Sequence, residues 1–315
     1  MMKNICFMLL LVVLTLTSCS LSGSSFIHKS LKISQWNLQS FFDSETSGNE
    51  YEDFRDKSLW NSESYKDRLK RLSQAIKVID ADVFIMEEVE NEAVLKDIFN
   101  FLEVDTRYRK LYPYAAFARS QGSCIGLAVM SRYPLGEVKI HHVKSYDKFS
   151  SMPYLRPILE VKVFCEDGTV CLFINHWKSR AGGADKSEKW RKLQEKSLCY
   201  AMKNAIDRGD AVIAAGDFNR DVKEFRNKDG LISIGCLSDI KTPDMADTED
   251  EGSYCYRGEW SLIDNYYFYN IQMYPLKIEK DGPWYYSEKR KPYAFNIRGG
   301  YGYSDHLPVS SAIVF

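Results

Sequence analysis

The stretch that decides the fold is AAGDFN, residues 214–219, which follows the short apolar run AVI at residues 211–213. A short apolar run with β-branched residues indicates a buried strand. Gly216 lets the backbone turn, and residues i and i+2 of an extended segment point the same way. Asp217 and Asn219 therefore aim a carboxylate and a carboxamide at one place, where they can hold and polarise a water molecule. For the hexapeptide alone, an ordinary Asp/Asn turn after a strand is the other interpretation.

Other strand-like runs also end in polar residues of suitable kinds. They are ISQWN at residues 33–37, VFIMEE at 83–88 and LFINH at 172–176, and YSDHLPV at 303–309 closes the chain. The combined set resembles the active site of the endonuclease/exonuclease/phosphatase superfamily, with GDFN and SDHLP as its most specific elements. The set comprises Asn37, Glu88, His176, Asp217, Asn219, Asp264, Asp305 and His306.

This resemblance implies an α/β fold, the deoxyribonuclease-like four-layer sandwich of two mixed β-sheets with helices on the outer faces. The order of elements agrees, because strands alternate with helices early and hairpins dominate later. A capping box at residues 64–67 predicts a helix start, and apolar residues at helical spacing follow it. Further helices are predicted over residues 91–102 and from a second capping motif at residues 185–188 to Gly209.

The N-terminus is predicted to be a targeting segment. Lys3 precedes an apolar run at residues 5–14 that is too short for a membrane span, and LTSC at residues 16–19 resembles a bacterial lipobox. We expect a signal peptide at residues 1–18, lipidation of Cys19, a tether at 19–30 and a single domain at 31–315. The protein would then be exported and lipid-anchored to a bacterial membrane, on its periplasmic or cell-surface face. A plain secretory signal is the alternative.

Composition and cysteine content set weaker bounds. The 315 residues carry a net charge of −1, which predicts no general attraction to nucleic acid but leaves a local basic groove open. Six cysteines remain beyond the lipobox, and six cysteines allow 15 pairings. Cys165 and Cys171 flank a hairpin signal at residues 167–168 and form the favoured pair. No cysteine or histidine spacing suggests zinc.

For the metal, the resemblance implies Mg²⁺, with Mn²⁺ or Ca²⁺ as alternatives; all three take oxygen ligands. It makes Glu88 the leading ligand, with Asn37 and Asp305 nearby. The chain departs from the family pattern at two positions. Glu87 stands where Gln is usual and would add negative charge, and Gln39 stands where many members carry a second acidic ligand.

For catalysis, the resemblance implies hydrolysis of a phosphate ester by water. Asp217, positioned with Asn219, would orient and deprotonate that water. His306, held by Asp264, and His176 would donate hydrogen bonds to the phosphoryl group as negative charge builds.

Three cations are predicted to bind substrate phosphate. Lys178 and Arg180 follow His176 at i+2 and i+4, so an extended segment would aim them the same way, and Arg156 opens a neighbouring strand. Residues 281–302 are aromatic and basic, which suits either base stacking or a packed aromatic loop.

The favoured function is a metal-dependent nuclease acting on DNA, with RNA as a further substrate. The first alternative is a lipid head-group phosphodiesterase or phosphatase, of the sphingomyelinase or inositol-phosphatase kind. The second is a non-catalytic surface-binding lipoprotein. A monomer is expected, and the sequence implies no protein partner.

Overall fold

Two mixed β-sheets face one another in the computed structural model, which describes residues 30–104, 110–144, 153–227, 229–247 and 252–315. Sheet A has the strand order β12-β16-β1-β2-β4-β3, with β13 also paired to β16, and sheet B has the order β11-β8-β7-β6-β5. Two small hairpins, β9–β10 and β14–β15, complete the strands. In chain order the strands are β1 (Leu31–Phe41), β2 (Val83–Val89), β3 (Tyr114–Ala118), β4 (Gly126–Ser131), β5 (Leu135–His141), β6 (Ile158–Phe164), β7 (Thr169–His176), β8 (Ala211–Asp217), β9 (Tyr254–Tyr256), β10 (Glu259–Ser261), β11 (Asp264–Tyr269), β12 (Gln272–Met273), β13 (Lys277–Ile278), β14 (Tyr285–Tyr286), β15 (Lys291–Pro292) and β16 (Val309–Val314).

Helices form the outer layers and confirm the predicted four-layer α/β sandwich. Buried residues of α2 and α3 belong to the apolar core that includes sheet A and the space between the sheets. Buried residues of α4 form a second core with the outer face of sheet B. The helices are α1 (Glu52–Arg55), α2 (Ser62–Ile79), α3 (Glu92–Val104) and α4 (Ala184–Asp207). No helix in the described ranges combines the length and apolar character needed to cross a membrane.

The helix starts differ from the predicted capping motifs. Helix α2 begins two residues early, because the side chain of Asn61 accepts hydrogen bonds from the backbone of Glu63 and Ser64. Helix α4 begins after Gly183, whose position offers no side-chain cap. The predicted apolar stripe of α2 is confirmed as its buried face. Local capping motifs therefore located the helices to within a turn but did not fix their first residues.

The favoured disulfide is wrong. Cys199 on α4 bonds Cys236, which lies 37 residues further along the chain. Cys165 and Cys171 are free: Cys171 packs in the core beneath α4, whereas Cys165 packs against the core between the sheets. The two thiols therefore lie on opposite faces of sheet B, and no turn between them could bring their sulfurs together.

The N-terminal predictions fall outside the described residues, which begin at residue 30. They are the signal peptide at residues 1–18, the lipidated Cys19 and the tether that follows it. The boundaries of the single domain at 31–315 stay a prediction as well.

Candidate active site

Asp217 ends β8 between two other candidate residues on the neighbouring strands. In the parallel pair β7/β8 it lies opposite His176, and in the antiparallel pair β8/β11 it lies opposite Asp264. Gly216 makes this close approach feasible, because an ideal Cβ there would lie 1.9 Å from the Asn175 carbonyl oxygen. Its φ of +136° also favours glycine. The strand register therefore places an imidazole and two carboxylates in one row.

Irregularities in β1 and β2 supply residues from the other sheet. The register of this parallel pair shifts after Asn37 and Glu87, and Glu88 has a φ of +63°. A bulge re-aims the side chain that it carries. The Glu88 carboxylate turns to meet Ser40, whose backbone N and Oγ donate hydrogen bonds of 2.7 and 3.0 Å to Oε2. Asn37 Nδ2 lies 3.4 Å from Glu88 Oε1.

Three hydrogen bonds hold the Asp217 carboxylate in place. Its Oδ1 accepts from Asn219 N at 2.8 Å, and its Oδ2 accepts from Asn219 Nδ2 at 3.0 Å and from Asn37 Nδ2 at 3.1 Å. Burial, together with the nearby Asp264 carboxylate, raises the pKa of Asp217 to about 7. A carboxylate with this pKa can accept a proton from water near neutral pH. The predicted meeting of Asp217 with Asn219 is observed, with the amide donating to the carboxylate.

His306 is held in place by a carboxylate. Its Nδ1 donates to Asp264 Oδ2 at 2.8 Å, and Ser253 Oγ donates to the same oxygen at 2.6 Å. The ring packs on Tyr254 with centroids 4.6 Å apart. Burial alone would lower the pKa of His306, but the Asp264 carboxylate raises it well above its ordinary value. The ring is therefore charged at neutral pH, with Nε2 4.0 Å from Asp217 Oδ2.

His176 has the opposite protonation state. Burial, followed by the charge of Arg156, holds the pKa of His176 well below its ordinary value. Its Nε2 lies 3.5 Å from Asp217 Oδ2 and 3.6 Å from Glu88 Oε1. Its Nδ1 is buried and has no hydrogen-bond partner in the described part of the chain. The site therefore pairs one neutral imidazole with one charged imidazole across the Asp217 carboxylate.

Two groups of side chains fit a divalent cation. Burial raises the pKa of Asp305 and the Glu88 carboxylate adds to this rise, although the charge of His306 opposes it, so a cation near the two acids would offset their repulsion. Asp217, Asp264 and His306 offer ligand atoms within 4.8 Å of one another, and Asp264 Oδ1 is buried without a hydrogen-bond partner among the described residues. Because His306 already donates to Asp264, the Glu88 side suits a cation better. A cation bound there would neutralise charge on phosphoryl oxygens.

The two departures from the family pattern have structural explanations. Glu87 is fully buried and neither carboxyl oxygen has a hydrogen-bond partner among the described residues. Burial, then the carboxylates of Asp264 and Asp217, raises the pKa of Glu87 well above its ordinary value, which favours the neutral carboxyl over the extra negative charge that was expected. The side chain of Gln39 turns away and bonds the Phe295 backbone at 2.8 and 3.2 Å.

Of the three predicted phosphate-binding cations, two are free of ion pairs within the described residues and one is paired with a carboxylate. Arg156 and Lys178 form no ion pair within the described residues, and Arg156 lies close enough to contribute, after burial, to a lowered pKa of Lys178. Arg180 instead pairs with Glu224, and its Nε donates to the Asn219 carbonyl at 2.9 Å. Strand β7 ends at His176, and Arg180 is directed to Glu224 and the Asn219 carbonyl, so the assumed alignment of all three side chains does not hold.

Arg68 supports the site and was missed by sequence reasoning. Its buried guanidinium donates to the carbonyls of Leu38, Gln39 and Ser40 at 2.7 to 2.9 Å and lies 3.6 Å over the Phe295 ring. It thereby fixes the irregular end of β1, where Ser40 donates to Glu88, the leading metal-ligand candidate. The available signal was a cation on the buried stripe of a predicted helix, where an exposed cation is the usual interpretation.

A cleft of about 380 Å³ opens beside Asn219. Tyr254 and Tyr256 supply aromatic surface, and Glu259 and Ser261 supply polar atoms. Since Tyr254 also packs on His306, a group attached to a phosphate at the site could extend into this cleft.

Comparisons with known proteins agree with this geometry. The model of the Endonuclease/Exonuclease/phosphatase family matches residues 32–272. Truncated TDP2 of Caenorhabditis elegans superposes with a TM-score of 0.58 at 14% identity, covering 91% of this chain and 98% of that one. The mannosyl-6-phosphatase of Bacteroides thetaiotaomicron superposes with a TM-score of 0.57 at 17% identity, covering 91% of this chain and 100% of that one. The human Nocturnin catalytic domain with bound sulfate superposes with a TM-score of 0.55 at 15% identity, covering 91% of this chain and 94% of that one. A search of curated protein sequences found no match.

The fold and the paired carboxylates and histidines define a phosphoester hydrolase. The chain belongs to the endonuclease/exonuclease/phosphatase family, because the family model matches most of its length. The predicted enzyme class is confirmed, and its family is divalent-metal dependent. The structural neighbours share less than a quarter of their residues with this chain and therefore establish its fold alone.

Proposed function

We propose that the protein is an exported nuclease that hydrolyses phosphodiesters of DNA, and also of RNA, with Mg²⁺ as its metal. The observation that carries the nucleic-acid part is the pair Arg156 and Lys178. Both lie near His176 without an ion-pair partner in the described chain, so two uncompensated positive charges are present beside the site. A polymer that presents successive phosphates would use both cations.

The residues of the site would divide the reaction between them. Asp217 would take a proton from the attacking water, held in place by its bonds to Asn219 and Asn37. The charged His306 would donate from Nε2 to a phosphoryl oxygen as negative charge builds. The neutral His176 would donate from the same side as the two cations.

A second candidate function is hydrolysis of a lipid head group or a small phosphate ester. The cleft of about 380 Å³ beside Asn219 favours it, because tyrosine faces with a carboxylate and a hydroxyl suit a polyol. This class corresponds to the sphingomyelinase- or inositol-phosphatase-like alternative.

The location completes the proposal. A lipid at Cys19 would hold the enzyme on a bacterial membrane, facing the periplasm or the cell exterior, as a monomer without a protein partner. Nucleic acid would then be met outside the cytoplasm.

The test compares substrates with and without metal. The chain would be incubated with plasmid DNA, single-stranded DNA, RNA, sphingomyelin and inositol phosphates, in Mg²⁺, Mn²⁺ or Ca²⁺ and in EDTA. Asp217→Ala should lower kcat by about 10² to 10⁴-fold on every substrate that is cleaved. Lys178→Met should raise KM for DNA more than for inositol phosphates, and Lys192→Met, on the exposed side of α4, is its matched control.

The outcomes separate the candidates. EDTA-sensitive cleavage of nucleic acid that Asp217→Ala abolishes would support the nuclease. Release of head groups without cleavage of nucleic acid would replace it by the second candidate. Failure on all substrates in every metal would contradict both and favour the non-catalytic surface-binding lipoprotein.

A further inference from the structure

Three tyrosine rings form a ladder in the aromatic segment near the site. The Tyr286 and Tyr293 centroids are 5.5 Å apart with the rings tilted by 58°, and Tyr293 and Tyr301 stack at 5.7 Å with an interplanar angle of 17°. None of the three is buried, and Tyr301 is 47% exposed. By contrast, Trp284 and Phe295 of the same segment pack into the core between the sheets. The segment therefore has a packed inner part and an outward tyrosine ladder, which contains Tyr286, Tyr293 and Tyr301.

The ladder is connected to the catalytic residues through a short series of packed neighbours. Strand β15 packs beside β9, which carries the Tyr254 ring that stacks on His306. The Tyr293 carbonyl accepts from Tyr303 N at 2.7 Å, and the Tyr303 ring stacks on Trp36, which donates to the His306 carbonyl at 2.9 Å. Tyr301 is five residues before His306, a span of at most about 18 Å.

Glycine keeps the outermost ring accessible. An ideal Cβ at Gly299 would lie 2.2 Å from a carbon of the Tyr301 ring, so a larger residue there would displace the tyrosine. Gly300 follows with a φ of +65° and open space around its Cα. The turn before Tyr301 therefore carries no side chain that would cover it.

Three consecutive cations occupy the tip of the β14–β15 hairpin. Residues 289–291 are Lys, Arg and Lys, all exposed, and none forms an ion pair with another described residue. Lys289 lies 5.0 Å over the Tyr286 ring. The adjacent Glu288 is exposed and is the one carboxylate of the hairpin tip, so the local charge stays positive despite a whole-chain charge of −1.

We infer that the tyrosine ladder and the cations at residues 289–291 bind single-stranded nucleic acid and guide it to the active site. The inference rests on the proposed nuclease function and narrows its substrate to strands whose bases are unstacked from a partner. Every base has a face that can stack on tyrosine, and the cations follow the phosphates, so binding would be independent of sequence. A duplex hides its base faces and would bind the ladder less tightly.

The experiment measures binding without turnover, by fluorescence anisotropy of labelled oligothymidylate in EDTA. Tyr301→Ala should weaken binding about fivefold to a hundredfold, as loss of one stacked base predicts. Gly299→Ala, which keeps the tyrosine but displaces its ring, should act in the same direction. Replacing residues 289–291 by Ser, Asn and Ser should reduce the slope of log affinity against log salt by about two. The matched control is Tyr200→Ala on the outer face of α4, where Lys196 lies 5.9 Å over the ring.

Each outcome decides the inference separately from the proposed function. Weakened binding in Tyr301→Ala, in Gly299→Ala and in the variant replaced at residues 289–291, but not in Tyr200→Ala, would support it, even if no metal gave cleavage. Unchanged affinity in Tyr301→Ala and Gly299→Ala would overturn it, even if the wild type cut DNA. Equal affinity for duplex and single strand would overturn the stacking mode. Binding of anionic vesicles, but not of oligonucleotide, through the same cations would assign the surface to a membrane instead.

Discussion

Glu87 gives the sharpest test of how the buried polar layer is stabilised. Its carboxyl is fully buried between the sheets, and burial followed by two neighbouring carboxylates raises its pKa well above the ordinary value of 4.5. In the unfolded chain the group ionises near its ordinary value. Above that pH, folding must therefore bind a proton, and Glu87→Gln removes this requirement.

The size of the effect follows from proton linkage. In the pH range between the unfolded and folded pKa values, the folded state holds one more proton than the unfolded state. The free energy of unfolding then falls by about 1.4 kcal/mol for each pH unit because of this group. From about pH 5.5 upwards, the stability of Glu87→Gln relative to wild type should therefore rise by about 1.4 kcal/mol for each pH unit, until the pH reaches the folded-state pKa of Glu87. The new amide, buried without an evident partner, adds a constant cost of about 1–3 kcal/mol that does not depend on pH.

Urea denaturation in EDTA across this pH range measures the difference directly. Glu63→Gln removes an exposed carboxylate from the first turn of α2 and is the matched control for a surface change. A stability difference between wild type and Glu87→Gln that stays constant with pH would refute the argument. It would mean that Glu87 is ionised in the folded protein and that a compensating partner exists.

The remaining predictions concern residues that position the site. Arg68→Lys removes hydrogen bonds to the carbonyls of Leu38, Gln39 and Ser40, so Ser40 would no longer hold the Glu88 carboxylate. Mn²⁺ binding measured by calorimetry should then weaken at least several-fold. An unchanged Kd in a folded variant would contradict this. Asp264→Asn should return the His306 pKa toward its ordinary value, since the opposing charge 2.8 Å away is lost. Histidine proton resonances followed by NMR against pH would detect this shift, and kcat should fall by about 10² to 10⁴-fold, the usual contribution of a positioned acid or base.

The sequence predicted which residues share the site better than the geometry that brings them together. Asp217 and Asn219 were predicted to meet, but a turn brings them together rather than an extended segment: β8 ends at Asp217, Asn219 has a φ of +47°, and its backbone N and Nδ2 both donate to the Asp217 carboxylate. Asp264 lies opposite Asp217, a placement that needs the register of an antiparallel pair and came only from family resemblance. The phosphate-binding role predicted for Arg180 was wrong because its guanidinium forms an ion pair with Glu224, which lies 44 residues further along the chain. Long-range pairing also explains why the Cys199–Cys236 bond escaped prediction.

The positions that sequence patterns could not place coincide with strained backbone. Of the eight non-glycine residues with positive φ in the described chain, four lie at the site: Gln39, Ser40, Glu88 and Asn219. Such conformations cost about 1–3 kcal/mol each and persist only where surrounding contacts enforce them. The buried Arg68 supplies those contacts for the irregular end of β1, through the carbonyls of Leu38, Gln39 and Ser40 and through the Phe295 ring.

These strained turns explain how side chains from two sheets can face one phosphate-binding site. Regular strands would send alternate side chains to opposite faces of each sheet, and Glu88 would then point away from Asp217. The bulge at Glu88 instead turns its carboxylate to within 3.6 Å of His176 Nε2 on the other sheet. The alternation of side chains along a strand is therefore broken at Glu88, where the site needs the carboxylate to face the other sheet. The regular apolar strands on either side keep this bulge in place.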